Sequence, residues 1–288
     1  MTTTPTMAGK ICLVTGGTAG IGFVTARELA RAGAEVTIVG RDGARGAAAA
    51  AAIGAAAGGA PVDFIAADLG EQEQVRSFAS RFGERHDRLD VLVNNAGGLF
   101  GRRQTTGDGI ERTFALNHLG YFLTTMRLLP LLQAAATGRI VVVASEAHRG
   151  ARLDFDDLQG EQRYSRWTAY KRSKLANLLF CYELARRLTG RGITANALHP
   201  GFVATEIGTR HRFVPSLLWR IGTAMAAISP EDGARTSVYL ASALDVAAVS
   251  GSYFIKSTPA RSSDASYNRA SAERLWDISL NLTATADI

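Results

Sequence analysis

Tyr170 and Lys174 stand four residues apart in the run Tyr170-Lys171-Arg172-Ser173-Lys174. On a helix this spacing stacks both side chains on one face, a turn apart. A phenol with an ordinary pKa of about 10 is a poor proton donor or acceptor near neutrality. A neighbouring ammonium favours its phenolate and tunes it toward general acid–base work. Such pairs also occur on solvated helix faces, so the reading depends on what converges with them. Ser145 is one partner. It closes the apolar run Ile140-Val141-Val142-Val143-Ala144, a buried strand that delivers a hydroxyl at its C-terminal end.

The elements that must position these groups lie upstream. Ile11-Cys12-Leu13-Val14 reads as a buried parallel strand, and Phe23 to Ala32 as a helix ending before Gly33. Between them lies the glycine turn Thr15-Gly16-Gly17-Thr18-Ala19-Gly20-Ile21-Gly22. Strand, glycine turn and helix make a nucleotide-phosphate site credible. Gly16 permits the tight turn, Gly20 lets backbone approach a pyrophosphate, and Gly22 lets helix and strand pack closely. The helix N-terminus offers free N–H groups to the phosphates.

The second strand, Glu35 to Val39, ends in Gly40-Arg41-Asp42. An NAD site usually carries an acid about 20 residues past the glycine turn, on the ribose 2′-hydroxyl. Here Gly40 holds the strand end, and the fork of Arg41 suits a 2′-phosphate. NADP(H) is favoured over NAD(H), with Asp42 close enough to leave the second open. Val91-Leu92-Val93 then runs into Asn94-Asn95-Ala96-Gly97, where the amides can tie strand ends together. Ala96 and Gly97 leave room for a flat cofactor. Ligands bind beyond the strand C-termini of open parallel sheets. Gly16, Asn94, Ser145 and Pro200-Gly201 all fall at such ends.

These residues resemble the short-chain dehydrogenase/reductase family in its single-domain branch. The matching motifs are Thr15-x-x-x-Gly-Ile-Gly22, Asn94-Asn95-Ala96-Gly97, Ser145, Tyr170-x-x-x-Lys174 and Pro200-Gly201. The retinol-dehydrogenase-like subgroup is resembled through the run Leu116 to Phe122, Ser145-Glu146-Ala147-His148 and Phe155-Asp156-Asp157-Leu158. Ser173 to Asn177, His199 to Glu206, Gly251 to Phe254 and Arg274-Leu275-Trp276 continue that likeness. The resemblance implies an α/β, Rossmann-type doubly wound parallel sheet with helices on both faces. It implies that Tyr170 exchanges a proton with the carbonyl or alcohol oxygen while Ser145 holds that oxygen. Lys174 would lower the tyrosine pKa and bond the nicotinamide ribose, and Asn117 would hold a water linking Lys174 to solvent. Thr18, Ile21, Asp68, Leu69, Val203 and Thr205 join the implied cofactor contacts, Asp68-Leu69 at the adenine and Thr205 at the carboxamide. His148 and His199 are read as structural, since the mechanism already has its proton donor.

Composition fits one enzyme domain spanning residues 1–288. Hydrophobic residues make up 47% of the chain, enough for a substantial core, and no linker divides it. The alanine-rich run Ala47 to Ala60 reads as a helix with a weakly packed end near Gly54. The net charge of +6 is spread along the chain without aromatic interleaving, which argues against nucleic acid. Two cysteines and five histidines show no metal-ligand spacing, so no metal is expected. The N-terminus, Met1 to Lys10, holds no apolar span or signal peptide, which predicts a cytoplasmic enzyme without stable membrane insertion.

The segment from about 202 to 228, with Phe213, Leu217, Leu218 and Trp219, reads as a flap over the nicotinamide. A membrane-surface helix is the alternative for it. Leu99 to Thr106 reads as a second wall, where the Arg102-Arg103 pair either meets an acidic substrate group or is simply solvated, the usual state of exposed arginines. A C-terminal extension follows from about 256 to 288. The sequence predicts hydride transfer between NADP(H) and a hydrophobic alcohol or carbonyl compound, acting as a carbonyl reductase. A non-catalytic NADP(H)-binding sensor or scaffold is the alternative, which the joint presence of Asn117, Ser145, Tyr170 and Lys174 argues against. Association as a homodimer or homotetramer, through the helices bearing Asn117 and Tyr170, is a further implication of the resemblance.

Overall fold

Continuous apolar runs, rather than alternating ones, build the central strands. All five residues of β1 (Ile11–Thr15) and all four of β4 (Val91–Asn94) are buried, the pattern of a sheet covered on both faces. The others are β2 (Glu35–Gly40), β3 (Val62–Ala66), β5 (Gly138–Val143), β6 (Ile193–His199), β7 (Tyr253–Ile255) and β8 (Thr258–Ala260). The computed structural model describes residues 6–201 and 228–288. Within them the strands form one sheet in the order β3-β2-β1-β4-β5-β6-β7-β8. All pairings are parallel except β7 with β8.

The side chains of each strand alternate between two cores. Leu13, Leu92, Ile140 and Val142 enter one, with α3 (Gln72–Gly83), α5 (Gly120–Ala134) and α6 (Arg166–Arg187). Cys12, Val14, Val91, Val93, Val141 and Val143 enter the other, with α1 (Gly20–Arg31), α2 (Gly43–Ala56) and the helix Pro230–Ser242. This is the doubly wound arrangement the sequence predicts. Strand order reverses between β1 and β4, so their C-terminal ends open a crevice of the kind that receives nucleotides.

Local boundaries differ from the sequence reading where glycine chemistry intervenes. Helix α1 begins at Gly20, not Phe23, because Gly20 accepts a φ of +56° at the turn into the helix. Helix α2 starts at Gly43, with the Asp42 carboxylate accepting from Arg45 N at 3.0 Å. The expected weak packing near Gly54 is not found. Gly54 is buried, and a Cβ there would come 2.6 Å from the Ala60 carbonyl oxygen of the returning chain. The flap segment, with Val203, Thr205 and Trp219, lies outside the described residues up to residue 227.

Before α5 the chain makes one turn, α4 (Arg112–Phe114), and then a π-helical turn (Ala115–Leu119) holding Asn117 and His118. The C-terminal helix Arg269–Thr283 packs on α6, with Trp276 seated against Phe122 of α5 and Phe180 of α6. The chain thus covers part of the helical face through which the resemblance implies association.

His118 Nε2 donates to Ser279 Oγ at 2.9 Å, since that hydroxyl is itself directed to the Leu275 carbonyl. The ring lies among Phe114, Phe122 and Phe180, and Nδ1 finds no partner among the described residues. Burial pushes its pKa down to about 3, from 6.5. Between those values the unfolded chain binds a proton that the folded chain refuses. Stability is therefore full above pH 6.5 and is lost as pH falls. Between pH 6.5 and 4.5 this group should remove about 2 kcal/mol. Urea midpoints across that range should depend less on pH in His118→Phe; equal slopes in both proteins would exclude His118 as the source.

Candidate active site

Four strand ends place the reactive groups on one edge of the sheet. Register pairs Val14 with Val93, Asn94 with Val142, and Val143 with Leu198, so the residues after β1, β4, β5 and β6 emerge side by side. Ser145 follows β5 in an extended conformation and accepts from Ala147 N at 3.2 Å, capping the short turn Glu146–His148. His148 is fully buried and fixes that turn. Its Nε2 accepts from Ser263 N at 3.0 Å, so Nδ1 carries the proton and donates to the Ser145 carbonyl at 2.6 Å. His199 Nδ1 accepts from Glu146 N at 3.3 Å. Both histidines are occupied in holding backbone, and burial lowers the pKa of each.

Helix α6 brings Tyr170 to Ser145 and Lys174 beneath them. Burial raises the Tyr170 pKa above its ordinary value, and a hydrogen bond with Ser145 pulls it part of the way back. Desolvation is the larger of these two effects and Ser145 the opposing one. Lys174 Nζ donates to the Val143 carbonyl at 3.0 Å. The ammonium stands 5.7 Å from the Tyr121 ring centroid and 5.8 Å from that of Tyr170. Burial pushes its pKa down to about 8.

Asn117 ties three segments together. Its Nδ2 donates to the Gly98 carbonyl at 3.0 Å and to Ser173 Oγ at 2.9 Å, while its Oδ1 accepts from Gly98 N at 2.8 Å. A π turn is a frequent device at functional sites, and here it lets one amide link the loop after β4 to α6. A Cβ on Gly97 would come 3.4 Å from Asn117 Oδ1 and 3.7 Å from Lys174 Nζ. The open surface at Gly97 therefore borders the ammonium.

The glycine turn is a cradle that side chains would fill. A Cβ at Gly16, whose φ is +67°, would come 2.9 Å from Ala96 Cα, and one at Gly22 would clash with the Gly16 carbonyl oxygen. Helix α1 has no side-chain cap and no acid in its first turn, so its N-terminal N–H groups remain for an anion. Thr15 Oγ1 accepts from the backbone of Asn95 and Ala96 at 2.9 and 3.1 Å, and Asn95 Nδ2 donates to the Thr15 carbonyl at 2.9 Å. These bonds clamp β1 to β4 at the crevice. Asn94 Nδ2 reaches instead to Thr125 Oγ1 on α5, at 2.9 Å.

A family model described as short chain dehydrogenase matches residues 10–212, which takes in Asn117, Ser145, Tyr170, Lys174 and the glycine turn. The chain belongs to the short-chain dehydrogenase family. Within it this oxidoreductase is retinol-dehydrogenase-like. Retinol dehydrogenase 12 of Mus musculus is 43% identical over 281 residues, covering 98% of this chain and 88% of the relative. A crystal structure of an uncharacterised protein from Mycobacterium paratuberculosis superposes with a TM-score of 0.80 at 36% identity, covering 98% of this chain and 96% of the other. The Pseudomonas aeruginosa RhlG/NADP active-site complex superposes with a TM-score of 0.71 at 30% identity, over 86% and 95% of the two chains.

The short-chain dehydrogenase fold gathers Asn117, Ser145, Tyr170 and Lys174 at one end of β5 and α6. Gly16, Thr18, Gly20, Ile21 and Gly22 form the turn at the β1 end, while Ala96 and Gly97 follow β4 and Pro200-Gly201 follows β6. Gly201 has a φ of +96°, a conformation that strains any residue with a Cβ. Asp68-Leu69 follows β3, where the Asp68 carboxylate lies 3.7 Å from both Arg41 Nη1 and Arg112 Nη2. Arg103, a candidate to meet an acidic substrate group, is occupied by the Gln159 carbonyl at 3.1 Å and Glu161 at 3.3 Å. Sequence reasoning missed Thr15, Tyr121 and Ser173 as supporting groups, while the strand-tying amide it expected is that of Asn95. All three sit inside motifs already singled out, Thr15 and Ser173 next to chosen residues and Tyr121 one helical turn after Asn117.

Proposed function

We propose that this short-chain dehydrogenase reduces the carbonyl group of hydrophobic aldehydes or ketones with NADPH. The observation that carries the reading is that α6 brings Tyr170 beside Ser145, at the end of β5, with the buried Lys174 ammonium one turn on. Tyr170 keeps its proton at neutral pH because burial disfavours the phenolate. It can thus donate that proton to a carbonyl oxygen. Ser145, anchored by Ala147 N and by His148 through its own carbonyl, holds that oxygen. Lys174 offsets the phenolate left after donation and recovers the proton through the polar path at Asn117. A bound dihydronicotinamide would supply the hydride. The cradle of Gly16, Gly20 and Gly22 fits its pyrophosphate, and the surface at Ala96, Gly97, Pro200 and Gly201 would hold the nicotinamide end, with Val203 and Thr205 next in the chain.

Three features support NADP(H) over NAD(H). A Cβ at Gly40 would come 2.6 Å from Thr18 Cγ2, so no acid fits at the β2 end while Thr18 is in place. Asp42 is turned to the α2 N-terminus. Arg41 and Arg112 share one carboxylate, Asp68, leaving net positive charge that a 2′-phosphate would neutralise. The Pseudomonas relative was solved with NADP, and the mouse relative is named for retinol, an apolar alcohol.

Arg41→Asp should weaken NADPH binding about ten- to hundredfold, the worth of one charge-assisted bond, and shift relative preference toward NADH. Fluorescence titration with both cofactors measures this. An unchanged preference would remove Arg41 from the 2′-phosphate role. Among the described residues no helix is long and apolar enough to cross a membrane.

A further inference from the structure

Large apolar side chains exposed among the described residues include Trp167, Leu244 and Tyr267. Leu244 follows Ala243, whose carbonyl accepts from Arg139 at the start of β5, the end of that strand opposite Ser145. Tyr267 stacks on Tyr182 with ring centroids 5.2 Å apart. Trp167 differs, because it touches the reacting group. Its ring stands 6.4 Å from that of Tyr170 at 85°, an edge-to-face contact, yet the residue remains 51% exposed.

Both rings project from the first turns of α6, three residues apart and therefore on one face. Arg166 places its guanidinium 5.6 Å from the Trp167 ring centroid, a cation–π contact that restrains the indole. An indole half in water beside Tyr170 offers an apolar aromatic surface next to that hydroxyl. It needs no contact there to complete the fold, since the α6 core begins at Ser173.

A carbonyl whose oxygen lies between Ser145 and Tyr170 carries its two substituents outward from that point. One of them has the strip of α6 from Tyr170 to Trp167 as its wall. A flat π system on the carbonyl carbon would meet two aromatic rings already set at right angles. A saturated group of the same size would gain only the burial.

We infer that Trp167 is a specificity-determining residue that selects carbonyl compounds bearing a planar aromatic or conjugated group directly on the carbonyl carbon. The inference rests on the reading that Tyr170 bonds the substrate oxygen. It adds the substrate class and names the side chain that recognises it.

The test compares acetophenone with cyclohexyl methyl ketone, which have equal carbon counts, on wild type, Trp167→Ala and Trp167→Phe. Ketone binding is measured by calorimetry in the NADP⁺ complex, and kcat/KM with NADPH. Trp167→Ala should lower the aryl-over-alkyl ratio in both quantities about three- to tenfold, the worth of one aromatic pair, and Trp167→Phe should restore part of it. NADPH affinity and melting temperature should stay at the wild-type values. A ratio unchanged in Trp167→Ala, or a wild type that binds neither ketone, overturns the assignment. Failure of the reductase reading looks different: the binding ratio still responds to Trp167, but no turnover depends on Tyr170.

Discussion

Tyr170→Phe should reduce carbonyl turnover about 10²- to 10⁴-fold, the usual worth of a positioned proton donor, while NADPH affinity stays near that of wild type. The substitution deletes one oxygen and keeps the ring. Trp167 retains its edge-to-face partner, and the Lys174 ammonium retains its aromatic neighbour at 5.8 Å and its bond to Val143. Ser145 loses one partner but keeps the Ala147 N–H that anchors its hydroxyl. The loss should therefore fall on kcat. Turnover within tenfold of wild type would exclude Tyr170 as the donor and require another acid at the end of β5.

The pH profile gives the same experiment a second readout. In the free protein Lys174 is charged below about pH 8 and neutral above it. The quantity kcat/KM for NADPH reports groups of the free enzyme. It should be highest below that pH and decline as pH rises through it, because the neutral amine neither offsets a phenolate nor binds ribose as an ammonium. A profile that rises through pH 8 would contradict this role for Lys174.

What the sequence disclosed follows from the range of each interaction. The glycine turn, the buried strands and the Tyr170–Lys174 spacing are local patterns, and local periodicity fixes them. Parallel strands then bring their C-terminal ends to one edge, so Gly16, Asn94, Ser145 and Pro200 could be placed together before any contact was seen. The π turn at Ala115–Leu119 was not readable, because one extra residue in a helical turn leaves the apolar spacing from Leu116 to Phe122 intact. The Ser263–His148–Ser145 chain spans 115 residues in its first bond, which no local pattern encodes. The sequence shows the cation near Tyr170 but not the depth of burial, which raises the tyrosine pKa. Arg103 looked free for a substrate until the chain near Gln159 folded back over it.

The C-terminal helix is the largest element whose role lay beyond sequence reading, and Trp276→Ala should expose how much rests on it. Trp276 is 2% exposed. Its ring lies 5.0 Å from Phe122 at 76° and 6.0 Å from Phe180 at 18°, with the Arg187 guanidinium 4.5 Å from its centroid. Its Nε1 donates to Asp287 Oδ1 at 2.9 Å, and Asp287 also pairs with Arg187 at 2.6 Å. Truncating a tryptophan this enclosed should cost about 3–5 kcal/mol, a large part of the 5–15 kcal/mol typical of a native protein. Trp276→Phe keeps a ring against Phe122 and should cost less. Phe122 follows the π turn that carries Asn117, and Phe180 lies on the helix that carries Tyr170 and Lys174. Loosening the C-terminal helix should therefore lower kcat at temperatures below the unfolding transition, an effect that added NADPH partly reverses through linkage. Urea titration of both variants, with and without NADPH, measures these terms. A loss under about 1 kcal/mol in Trp276→Ala would mean the helix closes over a core that is already stable without it, and that the catalytic helices take their positions from the sheet alone.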